Sequence, residues 1–486
     1  MEIKTLAKNT MILASPKVLK FLVGILRAKL IAVFLGLTGA GIINQLQTTI
    51  RQIATFTLTS LPEGMIKLIA EENGIKIDIE KIAKIIKTYL TILIPLTLLV
   101  TFSGYIFADE ITLYVFGDIK FKLYFQIGFV ALPISILSTS SFALLKAFKE
   151  IKFIAYAEVL IILLNLILFI PLIYFYKITG AVIYVTLTFF ITFFVYYSFM
   201  KKNVFKKHNI TFKSIRKAII SVKYMKELGA FMGFGLVAGT YFIFMEITTR
   251  SIVVNELGIK KLGVYAPITA WASLFIGFIL PSLNTYLFPR LSEAKNDKDI
   301  TAVVNDVVRL MTFATLPFVI IGISTREWLI PLFYSKDFME ASVYLPFHFS
   351  ALLFTIWTFS FKQIFAPTGR LKKFLIFAII NHSLSLGLVY FLVPKLGLFG
   401  YLSKFTITPV FTAIVFYLFW KNEIKFKLKK ENIKVVLYAI LCVILLLLMR
   451  DIQIYLQLLA VVLLLPLFFL LKKEEKDYFL KKIKRN

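Results

Sequence analysis

Ile154–Tyr174 reads IAYAEVLIILLNLILFIPLIY, and after a short turn Ile183–Met200 reads IYVTLTFFITFFVYYSFM. The first block contains a single charged residue, Glu158, and the second contains none. An apolar helix needs about 20 residues to cross a bilayer, so each block reads as a membrane helix. Val435–Met449 is a third such block. The rest of the chain agrees: 59% of its 486 residues are hydrophobic and only 17% are charged, where soluble domains carry roughly 25% charged residues.

Extending that reading outward gives about fourteen transmembrane helices, at 10–35, 41–66, 87–108, 122–146, 152–175, 178–200, 226–249, 262–289, 306–325, 341–366, 372–394, 398–420, 433–449 and 452–472. The connections alternate in charge. Lysines crowd Lys76–Lys87, Lys146–Lys152, Lys201–Lys226, Lys421–Lys434 and the tail from Lys472, while Gly36–Gly41, Asp109–Asp118 and Tyr176–Thr179 are near neutral or acidic. Lys260-Lys261 is an exception. The positive-inside rule then places both termini in the cytoplasm, and an even helix count agrees.

The net charge of +29 is explained by these loops, with no soluble basic domain to bind nucleic acid. Cys442 is the only cysteine and lies in an apolar block, which excludes a disulfide framework. The N-terminus does not read as a cleaved signal, because Lys17, Lys20, Arg27 and Lys29 interrupt its apolar stretch.

The two halves resemble each other. At a shift of 222 residues Leu35-Gly36 meets Leu257-Gly258, Gly41 meets Gly263, and Glu71 meets Glu293. Arg27 falls within one position of Arg250, and Gly180 approximately matches Gly400. The expected organisation is a six-helix bundle over 1–200, a basic linker over 201–225, a second six-helix bundle over 226–420, and two extra helices with a basic tail over 421–486. Both bundles begin on the same side, so the repeat is parallel, about an axis along the membrane normal.

Charges inside membrane helices cost about 2.5–3.5 kcal/mol each unless they face protein or water. Lys20, Gly24 and Arg27 fall on one face of the first helix, and Arg51 is deep in the second. The second half offers Arg250, Arg290, Lys362 and Lys404. A cavity lined by such groups would select an anion, since arginine presents a planar fork to phosphate. Glu63 and Glu246 are candidates to bind a coupling H+ or Na+, although Glu246 and Arg250 also have the spacing of an intrahelical pair. Glu158 sits two turns into its helix. Gly233-Phe234-Gly235 with Gly239 lacks the spacing and preceding strand of a dinucleotide site, and His348 and His382 stand alone. There is no nucleophile–base constellation and no phosphate-binding loop, so nothing here reads as an enzyme or calls for a cofactor.

Lys29-Leu30-Ile31-Ala32-Val33-Phe34-Leu35-Gly36, the Gly39-Ala40-Gly41 turn, Gln45-Leu46-Gln47 and Gly64-Met65-Ile66-Lys67-Leu68-Ile69-Ala70-Glu71 resemble the opening of Wzx-type polysaccharide flippases. Those belong to the MOP superfamily, with the MATE drug exporters and the lipid II flippases. The motif match covers the first 75 or so residues. The resemblance implies an all-α fold with two six-helix bundles in a V. It also implies an inner-membrane protein that moves undecaprenyl-diphosphate-linked oligosaccharide by alternating access for O-antigen or capsule synthesis, beside other polysaccharide-assembly proteins. Lipid II flippases carry functional arginines in the first and second helices, at places comparable with Arg27 and Arg51. An aspartate follows the first of them there, and Ala28 follows Arg27 here, which favours the O-antigen or capsule type. The diphosphate is therefore expected at Arg27, Arg51 and Lys20, with Arg250 and Lys362 contributing from the other half. The rival readings are a multidrug exporter, which would show acidic cavity residues, and a polysaccharide polymerase or ligase, which would need a larger outward loop.

Overall fold

The computed structural model describes residues 2–58, 60–72, 78–294, 296–365 and 368–470, so the basic tail lies outside the described residues. Among these residues the chain is helical with no strand. The helices in order are α1 (Glu2–Leu58), α2 (Leu61–Glu72), α3 (Ile79–Ile106), α4 (Ala108–Phe116), α5 (Lys122–Phe129), α6 (Ala131–Ala147) and α7 (Ile151–Met200). Then come α8 (Phe212–Lys217), α9 (Val222–Leu257), α10 (Ile259–Glu293), α11 (Asp297–Ser324), α12 (Arg326–Phe333) and α13 (Glu340–Lys362). The last four are α14 (Leu371–Leu396), α15 (Leu398–Glu423), α16 (Lys430–Leu448) and α17 (Gln453–Phe469). Eight helical spans among the described residues are long and apolar enough to cross a membrane. With α1, α9 and α10, which have the length but more charge or less apolar composition, they give a polytopic membrane protein.

Two of these helices are broken inside. Gly36 in α1 has φ +60°, and Lys177 in α7 has φ +48°. Were α7 straight, Phe169 and Tyr184 would lie about 22 Å apart at 1.5 Å per residue; their ring centres are 4.8 Å apart. The chain therefore doubles back at Lys177, as the expected boundary between 152–175 and 178–200 requires. The left-handed conformation that turns it is one a side chain rarely adopts. The turn also needs Gly180, because a Cβ there would overlap the Leu172 carbonyl oxygen.

The internal repeat is visible in the backbone. Gly258, 222 residues after Gly36, has φ +82°, and Gly397, 220 residues after Lys177, has φ +58°. Gly400 repeats Gly180, since its added Cβ would overlap the backbone at Leu392. The first pair of turns also dock on each other. A Cβ on Gly41 would strike the Ile259 carbonyl, and one on Gly263 would strike the Leu37 carbonyl. Leu37 and Ile259 are themselves equivalent, so the contact is reciprocal.

The chain packs as two units, Met1–Gly263 and Val264–Asn486. In the first, Leu46, Ile50, Met65, Phe125 and Phe129 are fully or almost fully buried in one core. That unit takes in α9 as well as the expected first bundle. Glu72 helps to hold it: Lys81 Nζ and Tyr224 Oη each donate to its carboxylate at 3.1 Å. The Lys81 hydrogen bond keeps the Glu72 carboxyl below the usual range.

In the second unit Asn305 helps to fasten the appended helices. Asn305, wholly buried on α11, donates to the Lys427 carbonyl at 2.9 Å and accepts from the Lys429 amide at 2.8 Å. Asn432 on α16 donates to the Asn305 carbonyl at 2.7 Å, and Tyr438 Oη reaches the Leu463 carbonyl on α17 at 2.6 Å. Removing the Asn305 side chain strands buried donors and acceptors at about 1–3 kcal/mol each. Asn305→Leu is expected to lower the thermal unfolding midpoint of the detergent-solubilised protein and to open the 424–429 segment to protease. An unchanged midpoint and digestion pattern would show that the Asn305 side chain is not needed to hold α16.

Candidate functional site

Four helical faces converge in the first unit. Lys20, Val23, Gly24 and Arg27 lie at i, i+3, i+4 and i+7 on the first arm of α1, and Gln47 and Arg51 at i, i+4 on its second arm. Glu158, Ile161, Ile162 and Asn165 repeat the i, i+3, i+4, i+7 pattern on the first arm of α7. Val185, Thr188, Phe189, Thr192 and Tyr196 continue it on the second arm. Positions spaced this way share one side of a helix, so all four stripes face the same space, a cavity of about 320 Å³. Only the folding-back at Gly36 and Lys177 makes this possible. In a straight α1 Arg27 and Arg51 would be about 36 Å apart.

Three cations and one carboxylate line the cavity: Lys20, Arg27, Arg51 and Glu158. Arg27 and Arg51 are close enough to repel each other. Arg27 is held between aromatic faces, with its guanidinium carbon 5.1 Å from the Phe169 ring centre and 5.0 Å from that of Tyr184. Such contacts stabilise a desolvated cation by about 2 kcal/mol without using its N–H donors. Arg27 Nε, Asn165 Oδ1, Tyr184 Oη and Thr188 Oγ1 are buried and unpaired. Unpaired buried polar groups are costly, and four of them gathered around one cavity are arranged for a polar ligand. The excess of positive charge makes that ligand an anion.

Lys20, Arg27 and Arg51 are thus brought together, but Arg250 is not among the lining residues. It is 7% exposed and donates through Nε to Gln45 Oε1 at 3.0 Å, and through a terminal nitrogen to Asn44 Oδ1. Gln45 in turn donates to the Val115 carbonyl at 2.9 Å, so Arg250 fastens α9 to α1 and α4. Glu246 is 4.0 Å from Arg250, at the intrahelical spacing. Glu63 is exposed at the start of α2, and neither acid lines the cavity. Lys362, in the second unit, is exposed with its ammonium 4.9 Å from the Phe374 ring centre. Sequence reading passed over Asn165, Thr188 and the Thr192–Tyr196 face, whose only signal is polar spacing within an apolar block.

The sequence profile described as polysaccharide biosynthesis protein matches residues 6–295, more than half of the chain. This chain belongs to that family. The matched region takes in every residue that lines the cavity. A putative O-antigen transporter of Shigella flexneri is 28% identical over 200 residues, 40% of this chain and 46% of that protein; the match thus spans about half the length of that relative. Among solved structures, the lipid II flippase MurJ in an inward closed conformation is similar with a TM-score of 0.71 and 16% identity, over 94% of this chain and 99% of that one. A multidrug resistance MATE family transporter of the MOP superfamily, inward-facing, gives 0.70 and 16%, over 85% and 98%. At these identities the two establish the fold of this family member, an all-α membrane fold, and nothing finer.

Proposed function

We propose that this protein is a flippase for lipid-linked oligosaccharides, carrying an undecaprenyl-diphosphate-linked repeat unit across the bacterial inner membrane for surface polysaccharide synthesis. The observation that carries the reading is the cavity where Lys20, Arg27 and Arg51 outnumber Glu158. Two arginine forks and a mobile ammonium suit a diphosphate, since charge-assisted bidentate bonds are the strong ones. The family and the O-antigen transporter relative support a polysaccharide substrate. The lysine-rich loops support cytoplasmic termini, and transport would proceed by alternating access. A coupling proton or sodium ion needs an acidic group, and Glu158 is the one that lines the cavity.

A drug exporter would need a cavity of the opposite charge. The two readings separate in proteoliposomes, where transfer of a prenyl-diphosphate-linked sugar between leaflets is expected and uptake of a lipophilic cation is not. Cation uptake without sugar-lipid transfer would overturn the proposal.

A further inference from the structure

Arg51 stands at a boundary. On one side is the charged cavity; on the other is a contiguous cleft of about 270 Å³ that shares Arg51, Thr188, Phe189, Thr192 and Tyr196 with it. Beyond Arg51 the cleft contains no charge. It is walled by Ser135, Ser138, Thr139 and Phe142, which sit at i, i+3, i+4 and i+7 on α6, and by Thr55 from the second arm of α1.

Four hydroxyls of this cleft share one polarity. Ser135 donates to the Leu132 carbonyl at 2.8 Å, Thr139 to Ser135 at 3.0 Å, Thr55 to Arg51 at 2.8 Å and Thr192 to Thr188 at 2.7 Å. With these four hydrogens spent on their own helices, the four oxygens keep acceptor lone pairs free for a ligand. Thr188 Oγ1 is buried and unpaired. Phe142 and Tyr196 pack with ring centres 5.2 Å apart and close one wall with aromatic surface. Acceptors set around an uncharged space, with an aromatic wall, complement a ligand rich in O–H and N–H donors with an apolar face. Those are the features of a sugar ring.

We propose that this cleft holds the first sugar of the lipid-linked glycan, the ring bonded to the diphosphate, and that Ser135, Thr139 and Thr188 determine which ring is accepted. This rests on the flippase reading and deepens it: Arg51 grips the phosphate at the junction, the lipid side lies toward Arg27 and Lys20, and the sugar side toward α6. At 270 Å³ the cleft takes one ring and leaves the rest of the repeat unit outside it.

The test uses the full-length protein in lipid nanodiscs and two probes, farnesyl diphosphate and farnesyl diphosphate carrying one N-acetylhexosamine. The wild type is expected to bind the glycosylated probe more tightly. Ser135→Ala and Thr139→Val, made separately and together, are expected to lose up to about tenfold in affinity for that probe, the effect of one hydrogen bond or two. Binding of the bare diphosphate should be unchanged, which also reports that the variants are folded. Variants that keep the wild-type preference overturn the sugar cleft, as does a wild type that binds both probes equally, and both results leave the flippase reading standing. A wild type that binds neither probe overturns that reading and the cleft with it.

Discussion

Replacing Arg27 and Arg51 together by alanine is expected to reduce lipid-linked sugar transport at least ~100-fold while leaving the protein folded. Each guanidinium contributes charge-assisted bonds worth about 1.5–3 kcal/mol to a bound phosphate, and about 1.4 kcal/mol is tenfold in affinity. Fold stability should change little. Neither arginine forms an ion pair among the described residues, and the two repel each other, so their removal relieves repulsion. The thermal midpoint of the double variant should stay close to that of the wild type, because the relieved repulsion offsets the lost contacts of Arg27 with Phe169 and Tyr184. Arg27→Lys separates charge from shape, since it keeps the ammonium but loses the planar fork that fits between Phe169 and Tyr184; transport should fall to an intermediate level. Transport at the wild-type rate in the double variant would show that the cavity cations do not hold the substrate.

The second large effect concerns the paired turns. Gly41→Val and Gly263→Val should each abolish recovery of folded protein, a destabilisation beyond about 4 kcal/mol. The added atoms would overlap backbone carbonyls, of Ile259 and Leu37 respectively, and no side-chain rotation can relieve that. Gly229→Ala is the control: nothing lies within 4 Å of its Cβ position, and in a helix the change is worth about 0.5–1 kcal/mol in favour of alanine. Size-exclusion profiles of detergent extracts read all three. Monodisperse, wild-type-like profiles for both valine variants would mean that the turns can separate without loss of the fold.

Arg27 and Arg51 stood out in the sequence because charge inside an apolar block is costly and so informative. The α6 stripe did not, although Ser135, Ser138, Thr139 and Phe142 have the same helical spacing. A serine or threonine in a membrane helix bonds to the carbonyl one turn back, which makes it cheap to bury and leaves no mark against its neighbours. Arg250 illustrates the opposite case. Local spacing offered Glu246 as its partner, and the 4.0 Å separation agrees, but its shorter bonds go to Asn44 and Gln45, 206 and 205 residues away. Nothing within a few residues of Arg250 could have announced them.

The sequence by itself determined that this is an all-helical membrane protein whose turns recur at one spacing, because apolar block length and matched glycines are local properties that report directly on lipid and turn. Only the tertiary structure decided what the charges face. Reversals at Gly36 and Lys177 fold two long helices onto themselves and bring Lys20, Arg27, Arg51 and Glu158 around one cavity. A backbone turn of a few dihedral angles sets that meeting, and at Lys177 the residue type gives no hint of it.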